Sequence, residues 1–487
     1  MLCEVQILLK GRNDMILLKN CFYVMTPDGK DDLQGVDILI EDCRIQRIGE
    51  GIVPDAPKSG APTARPPRKT PHRRITETEV EVIDCSKMVV VPGFINTHHH
   101  FYQTLTRNLK AVQNAKLFQW LIYLYEVWKH IDAEAIFYST MVAVGELLKT
   151  GCTCTTDHHY LYPRDFQGDL MGIQFDAARR LGIRFSPCRG SMSLSKKDGG
   201  LPPDTVVQSD DQILSDSRRV IEAYHDDSDQ SMARIILAPC SPFSVTEDLM
   251  RKTARLARAY GVRLHTHLAE TAEEDDYCLR VYGKRPLRLM EELEFTGADV
   301  SYAHGVFFND EELGLLAETG TSIAHCPSSN MRLGSGIARV KEMLERGINV
   351  ALAVDGSASN DTSDFLGEMR TALLLQRVRY GADALTAGEV FRMASENGAG
   401  LLGFRGIGRV EEGCLADLAL FDINSIGYAG ALSDPPAALL FAGNSHQTAY
   451  TIVNGRIVVR EGRLTGYDED AIVTKANEIA FRLLPAH

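Results

Sequence analysis

The chain has 487 residues, with 52 Lys+Arg against 65 Asp+Glu and a formal net charge of −13, an acidic balance that lacks the basic footprint of a general nucleic-acid binder. An apolar fraction of 44% beside 24% charged residues excludes wholesale disorder. No apolar run approaches the roughly 18 residues of a membrane-spanning helix, and the first residues carry Glu4 with no small-residue cleavage site after them, unlike a secretory signal.

In chain order, Ile16–Val24 and Val36–Ile48 read as strands bounded by Asp and Gly residues. Residues 54–78 gather Pro54, Pro57, Pro62, Pro66, Pro67 and Pro71 among Lys58, Arg65, Arg68, Lys69, Arg73 and Arg74. With hardly any apolar surface to offset its ordering entropy, this stretch is expected as an exposed, mobile loop. From Val89 to about Gly400, short apolar runs alternate with longer helix-like segments. The runs are Met88–Val91 with Phe94–Ile95, Cys152–Thr156, Ile183–Pro187, Arg234–Ala238, Val262–Leu268, Val300–Ala303, Ser322–Ala324 and Asn349–Val354. Between them, Glu247–Tyr260 and Asp310–Thr319 show helical apolar spacing.

Eight such alternations predict an α/β chain folded as a (β/α)8 TIM-type barrel. A doubly wound sheet would bring fewer strands and a Gly-rich first turn, and no G-x-G-x-x-G follows the first strand. Beyond the barrel, Leu415–Phe421 is one apolar run, and Ala449–Ile452, Asn454-Gly455 and Ile457–Val459 read as a hairpin on a tight turn. Neither end has enough strands to be stable alone, so both are expected to pair into one small β-sandwich. The predicted division is residues 1–88 for the first part of that sandwich, 89–408 for a metal-dependent barrel, and 409–487 for the second part with a terminal helix. Eleven cysteines scattered from Cys3 to Cys414 without a C-x-x-C suit a reducing, cytoplasmic interior.

The chemistry gathers at strand ends. Asn96-Thr97-His98-His99-His100 closes the first barrel strand. His98 and His100 project from one face of an extended chain, which in a barrel is the interior at its catalytic rim. Two imidazoles there suit Zn²⁺ or a similar borderline cation, whereas a pairing through His99 would split the ligands across two faces. The fifth strand ends in His265-Thr266-His267-Leu268-Ala269-Glu270. One of its histidines can supply a third ligand, and Glu270 can return over the site as the non-ligand acid that moves protons. Ala303-His304-Gly305 follows the sixth strand and Val354-Asp355-Gly356 the eighth, where Asp355 is placed to ligate metal and accept a proton. Leu117–Trp128 reads as a helix whose Trp120 and Trp128 either pack the core or cover a pocket and stack a flat heterocycle.

The segments P-G-F-I-N-T-H-H-H, H-T-H-L-A-E, A-H-G and A-V-D-G resemble the amidohydrolase superfamily, in its cytosine/guanine/triazine deaminase-like branch. Glu412–Leu418 and Val453-Asn454-Gly455-Arg456 fit the β-sandwich of that branch. The likeness spans nearly everything except residues 1–14 and 54–78. His98 through Arg107 and Asp157-His158-His159-Tyr160 resemble the 8-oxoguanine deaminase subgroup, which has isocytosine-active members.

The resemblance implies His98, His100, His267 and Asp355 as metal ligands and Glu270 as proton shuttle. It implies that His304 contacts the attacking hydroxide and that Gln103 holds the substrate's amide edge. Binuclear relatives carry a strand-four lysine, and residues 233–245 contain none, so one divalent ion is expected, Zn²⁺ or Fe²⁺. Guanine deaminases carry an arginine after strand four where Leu237–Met250 has none, and nucleoside deaminases carry P-H-S-P where this chain reads Pro239-Cys240-Ser241-Pro242. Arg189 is the remaining cationic candidate for a carbonyl-rich substrate.

The implied reaction is hydrolytic deamination at C2 of a small planar nucleobase, 8-oxoguanine to urate or isocytosine to uracil. The rivals are a hydroxy-s-triazine (alkyl)aminohydrolase, another nucleobase or guanine deaminase and, remotely, a non-catalytic scaffold. The expected partner is a small molecule rather than nucleic acid or membrane, with the chain as a homodimer. Asp42-Cys43 stands where the family usually has Asp-Gly, which predicts a different hairpin turn there.

Overall fold

The computed structural model describes residues 15–26, 33–54 and 80–484. Apart from Pro54, the loop expected at 54–78 lies outside the described residues, as do residues 1–14. The middle of the chain forms a curled parallel sheet of the TIM-like kind. Seven parallel strands lie side by side in sequence order: His158–His159, Cys188–Ser191, Ile236–Pro239, Arg263–Leu268, Val300–His304, Ser322–His325 and Val350–Leu352. Phe94–Asn96, Cys152–Thr155 and Arg184–Phe185 pair in parallel alongside. The second and third runs are thus each split in two, and the chain shifts sheet within them. Thr97 N–H donates to the Leu352 carbonyl at 3.2 Å and Asp355 N–H to the His98 carbonyl at 3.1 Å, which ties the last strand to the first.

Small and apolar side chains fill the inside of this sheet, among them Ile95, Cys154, Cys188, Ile236, Ala238, Ala324, Ala351 and Ala353. Curling a parallel sheet this tightly leaves room for little else. The outward faces of the strands pack on helices that start where the sequence offers caps. Thr246 accepts from Leu249 N–H at 3.2 Å to open Glu247–Tyr260, and Asn309 with Glu312 forms a capping box on Asp310–Thr319. Leu117–Trp128 is helical, as its spacing predicts.

One strand differs from the sequence reading. Met88–Pro92 pairs antiparallel with Leu418–Asp422 in a six-stranded sheet built from both chain ends, and the inner parallel sheet begins only at Phe94. Pro92 has no N–H to extend a ladder, and Gly93 N–H turns to the Asp417 carbonyl at 2.8 Å, so one apolar run serves two sheets. A four-stranded sheet from the N-terminal segment, in the order Arg44–Gly49, Val36–Glu41, Met15–Cys21 and Val80–Asp84, lies beside it. Ile16, Leu18, Ile38 and Ile83 from one sheet share an apolar cluster with Val90, Leu418, Leu420 and Ile452 from the other.

The C-terminal hairpin turns at Asn454 (φ 49°) and Gly455 (φ 73°), the double left-handed pair of a type I′ turn. In the N-terminal hairpin only Asp42 takes a positive φ, of 54°. There the Cys43 carbonyl accepts from Ala416 N–H at 2.8 Å and joins the two ends of the chain.

Candidate active site

The strand ends bring the expected residues together. His98, His100, His267, Glu270, His304 and Asp355 are all buried at the same rim. His98 and His100 lie just past the first strand, which ends at Asn96. Between them His99 turns away, its Nε2 2.9 Å from Ser363 Oγ. On the fifth strand His265 and His267 share a face: His267 reaches the centre, while His265 lies behind His98, with Nε2 2.9 Å from His98 Nδ1 and Nδ1 2.8 Å from Ser301 Oγ.

The tautomers follow from the partners. His100 Nδ1 is 2.8 Å from the His158 carbonyl and His267 Nδ1 is 2.6 Å from the Cys240 carbonyl. A carbonyl oxygen only accepts, so both Nδ1 atoms carry the proton and each neutral ring presents a bare Nε2. Burial first, then neighbouring imidazoles, holds His98 and His267 well below the ordinary histidine range, and burial lowers His100 in the same direction. Yet the two bare Nε2 atoms are only 3.1 Å apart, and His100 Nε2 is 3.3 Å from Asp355 Oδ1. His98 Nε2 is buried without a hydrogen-bond partner, 3.5 Å from the same oxygen.

Lone pairs and a carboxylate facing one another this closely repel unless a cation lies among them. The donors of His98, His100 and Asp355 lie within 4.8 Å of one another, as do those of His98, His158 and His267. Neutral imidazoles with a carboxylate are the donor set of a borderline divalent metal, so these residues fit one.

Asp355 is held low. Burial pushes its carboxyl up, but the nearby imidazoles of His98, His304 and His100 outweigh that and place it well below the usual carboxylate range. Ser329 Oγ donates to its Oδ2, and Ser359 Oγ also donates there at 3.3 Å. Glu270 is opposite in character: burial pushes it up to about 7, with His304 opposing and Asp355 reinforcing. Its Oε2 is 3.5 Å from His304 Nε2, and His304 Nδ1 is 2.9 Å from Asn330 Oδ1. Ala269, His304 and Asp355 take positive φ values of 55°, 75° and 63°, the kind of unfavourable backbone that persists where surrounding structure enforces it. Glu274 enforces the first, accepting from Ala269 N–H at 3.0 Å and Glu270 N–H at 2.9 Å.

Above this floor lies a small cavity reached by His100, His267, Glu270, His304 and Asp355, with Trp120, Leu121, Tyr125, Tyr160 and Phe243 among its walls. Gln103 also lines it, from the short 3₁₀ turn Phe101–Thr106, with its Oε1 accepting from Ala358 N–H at 3.3 Å. Gly356 permits that approach, since a Cβ there would sit 1.9 Å from Gln103 Oε1. Trp128 Nε1 donates to Thr106 Oγ1 at 3.1 Å, whereas Trp120 Nε1 has no partner.

Arg189 is a correction. Cys188 faces the barrel interior, so its neighbour faces outward. Arg189 pairs with Asp216 at 2.9 Å and Gln208 at 2.8 Å, donates to the Gly190 carbonyl, and lies over the Tyr162 ring at 4.0 Å. It does not line the cavity.

Of the supporting groups, His265 is one of the two histidines the sequence leaves open as a third ligand, and His158, Glu274, Ser329 and Asn330 have no role in the sequence reading. Only two had a visible signal: His158 stands in the Asp157–Tyr160 motif, and Glu274 follows Glu270 by one helical turn.

The amidohydrolase family model matches residues 89–458. The chain belongs to the amidohydrolase family. It is 42% identical to the 8-oxoguanine deaminase of Pseudomonas aeruginosa, over 96% of this chain and 98% of that one. It is 36% identical to the hydroxydechloroatrazine ethylaminohydrolase of Pseudomonas sp. (strain ADP), over 93% and 92% of the two chains. Among solved structures, the atrazine chlorohydrolase TrzN from Arthrobacter aurescens TC1 complexed with zinc superposes with a TM-score of 0.86 at 29% identity, covering 96% of this chain and all of that one.

Proposed function

We propose that this amidohydrolase is a zinc-dependent aminohydrolase that deaminates a small planar heterocycle at C2, converting 8-oxoguanine to urate or isocytosine to uracil with release of ammonia. The observation that carries the reading is a buried acid beside a cation-demanding cluster. Glu270, pushed up to about 7, shares one aromatic-walled cavity with three imidazoles and Asp355. The likeness to the Pseudomonas aeruginosa 8-oxoguanine deaminase supports the substrate.

In this reading His98, His100, His267 and Asp355 hold the ion, which when bound lowers the pKa of a coordinated water from about 15.7 toward about 7. Asp355 accepts the proton released by water, its Oδ2 held by the Ser329 and Ser359 hydroxyls and its Oδ1 by the Gly356 N–H at 2.6 Å. His304, fixed by Asn330, directs Nε2 toward Glu270 and orients the attacking oxygen. Glu270 protonates the ring nitrogen as C2 becomes tetrahedral, regains a proton from the added hydroxyl and passes it to the departing nitrogen, and the proton held by Asp355 then restores Glu270, so N=C–NH₂ and water become HN–C=O and NH₃. A carboxyl near pH 7 is suited to both transfers. Gln103 reads the ring's amide edge, and Trp120 covers its face while its free Nε1–H meets a ring carbonyl.

We propose further that the parallel strands make one closed (β/α)8 barrel, with the two terminal sheets packed as one β-sandwich. The division of 1–88, 89–408 and 409–487 then holds with its first boundary moved to Gly93. The unpaired state of the described cysteines suits a reducing, cytoplasmic interior.

A second reading, hydrolysis of a hydroxy-s-triazine with an alkylamine leaving group, is favoured by the Pseudomonas sp. ethylaminohydrolase relative. Ammonia and alkylamine release from the zinc-loaded protein separates the two. 8-Oxoguanine, isocytosine, guanine, cytosine and an N-alkylamino-hydroxy-s-triazine are offered in parallel. Strong release from the first two with little from guanine is expected. Turnover of the triazine alone would keep the chemistry and replace the substrate.

A further inference from the structure

One imidazole at the centre has no part in that scheme. His158 ends the second barrel strand and is completely buried. Its Nε2 is 2.9 Å from the Ala238 carbonyl, so Nε2 carries the proton and Nδ1 is left as a bare lone pair. Nothing hydrogen-bonds to that Nδ1, although protein interiors seldom leave a buried acceptor unmet. Its ring stacks on His267 at 4.8 Å with the planes 18° apart, and its donor lies within 4.8 Å of those of His98 and His267.

The adjacent residue supplies a control within the same dipeptide. His159 also gives its Nε2 proton to a carbonyl, that of Leu161 at 2.7 Å, and also has an unpartnered Nδ1. Its ring lies between Tyr102 and Tyr162, at 5.2 Å and 5.5 Å, and joins none of the metal-capable groups. An unmet Nδ1 is therefore not what singles out His158; its place in a metal-capable group with His98 and His267 is.

We propose that His158 Nδ1 is a fifth protein donor to the ion held by His98, His100, His267 and Asp355. His100, His267 and Asp355 line the cavity, whereas His98 and His158 do not. His158 thus approaches the ion beside His98, from the barrel interior, and leaves the cavity side open for water and substrate. The Ala238 carbonyl fixes the tautomer that makes this possible, as backbone carbonyls do for His100 and His267.

The proposal rests on the metal-centre reading above, and zinc content tests that first: wild-type protein that retains no zinc overturns the centre itself. With zinc bound, two substitutions divide the roles of the ring. His158→Gln keeps an N–H for the Ala238 carbonyl and loses the donor at Nδ1. His158→Asn keeps an oxygen near the Nδ1 position and loses the Ala238 bond.

Chelator competition should show His158→Gln weakening Zn²⁺ binding at least about 10-fold, and more than His158→Asn does. The visible absorption of the Co²⁺-substituted protein should intensify in His158→Gln as the coordination number falls. Unchanged affinity and spectrum in His158→Gln, or a larger loss in His158→Asn, would overturn the proposal and leave the Ala238 bond as the residue's whole role. X-ray absorption of the zinc-loaded wild type needs no variant to fold: four imidazoles are expected, and three would refute the assignment.

Discussion

The inside of the curled parallel sheet has two layers of opposite character. The lower layer is Ile95, Cys154, Cys188, Ile236, Ala238, Ala324, Ala351 and Ala353, with hardly a polar atom among its side chains. At the C-terminal ends of the first, fifth, sixth and eighth strands, His98, His100, His267, His304 and Asp355 are also buried. The lower layer needs nothing beyond contact, since burial of apolar surface is its own driving force. The upper layer needs a partner for every polar atom and a cation for its converging lone pairs. Its backbone is also unfavourable, with positive φ at His304 and Asp355, which none of the lower-layer residues shares. The difference teaches where function and stability reside: the lower layer supplies cohesion, and the rim uses it to hold groups that would separate in water.

The comparison breaks most visibly at Glu270. Glu270→Gln should lower kcat by about 10²–10⁴-fold, the usual contribution of a positioned acid–base group, while zinc content stays at the wild-type value. Retained turnover would remove Glu270 from proton transfer. The reciprocal experiment is Ile236→Ala in the lower layer, where the side chain is 4% exposed. It should cost about 2–5 kcal/mol in denaturant unfolding and leave zinc stoichiometry and KM alone. A lost metal in that variant would show that the two layers are not separable.

Glu274 separates them more finely, through pH. Burial pushes its carboxyl from 4.5 up to about 8. The native state therefore holds a proton that the unfolded chain has already released between those values. The associated stability is full below pH 4.5 and is lost as pH rises through 8, with a slope of up to about 1.4 kcal/mol per pH unit. In the metal-free protein, Glu274→Gln should flatten this part of the stability curve while keeping an acceptor for the Glu270 N–H. Parallel curves for the two proteins across pH 5 to 8 would show that the acid is ionised in the native state.

The alternation of apolar runs announced the inner sheet, because strand periodicity and helix caps are local properties of a sequence. The converging histidines are visible for the same reason: His98 and His100 sit two apart at a strand end. What stayed hidden depends on approach between distant segments. Nothing near Arg189 shows that Asp216 and Gln208 will take its guanidinium outside the barrel. Nothing near Asn330 shows that His304 will meet it. Met88–Pro92 looked continuous with the first inner strand because both are apolar, and only pairing with Leu418–Asp422 reveals two sheets.

The smallest expected effect tests whether the rim extends to substrate recognition. Gln103 belongs to neither layer: it stands on the 3₁₀ turn beyond His100, tethered by the Ala358 N–H and pressed against Gly356. Its carboxamide oxygen is thereby spoken for, which leaves the nitrogen to meet an acceptor on the heterocycle. Gln103→Ala should raise KM about 10-fold, in line with the 0.5–1.5 kcal/mol typical of one neutral hydrogen bond, with zinc content and kcat little changed. Gly356→Ala supplies an independent check, because the added methyl would displace the same carboxamide without removing it. If position is what matters, it should reproduce the KM effect in a chain that still carries Gln103. A normal KM in both variants would take Gln103 out of substrate binding and leave it as packing beneath the cavity wall.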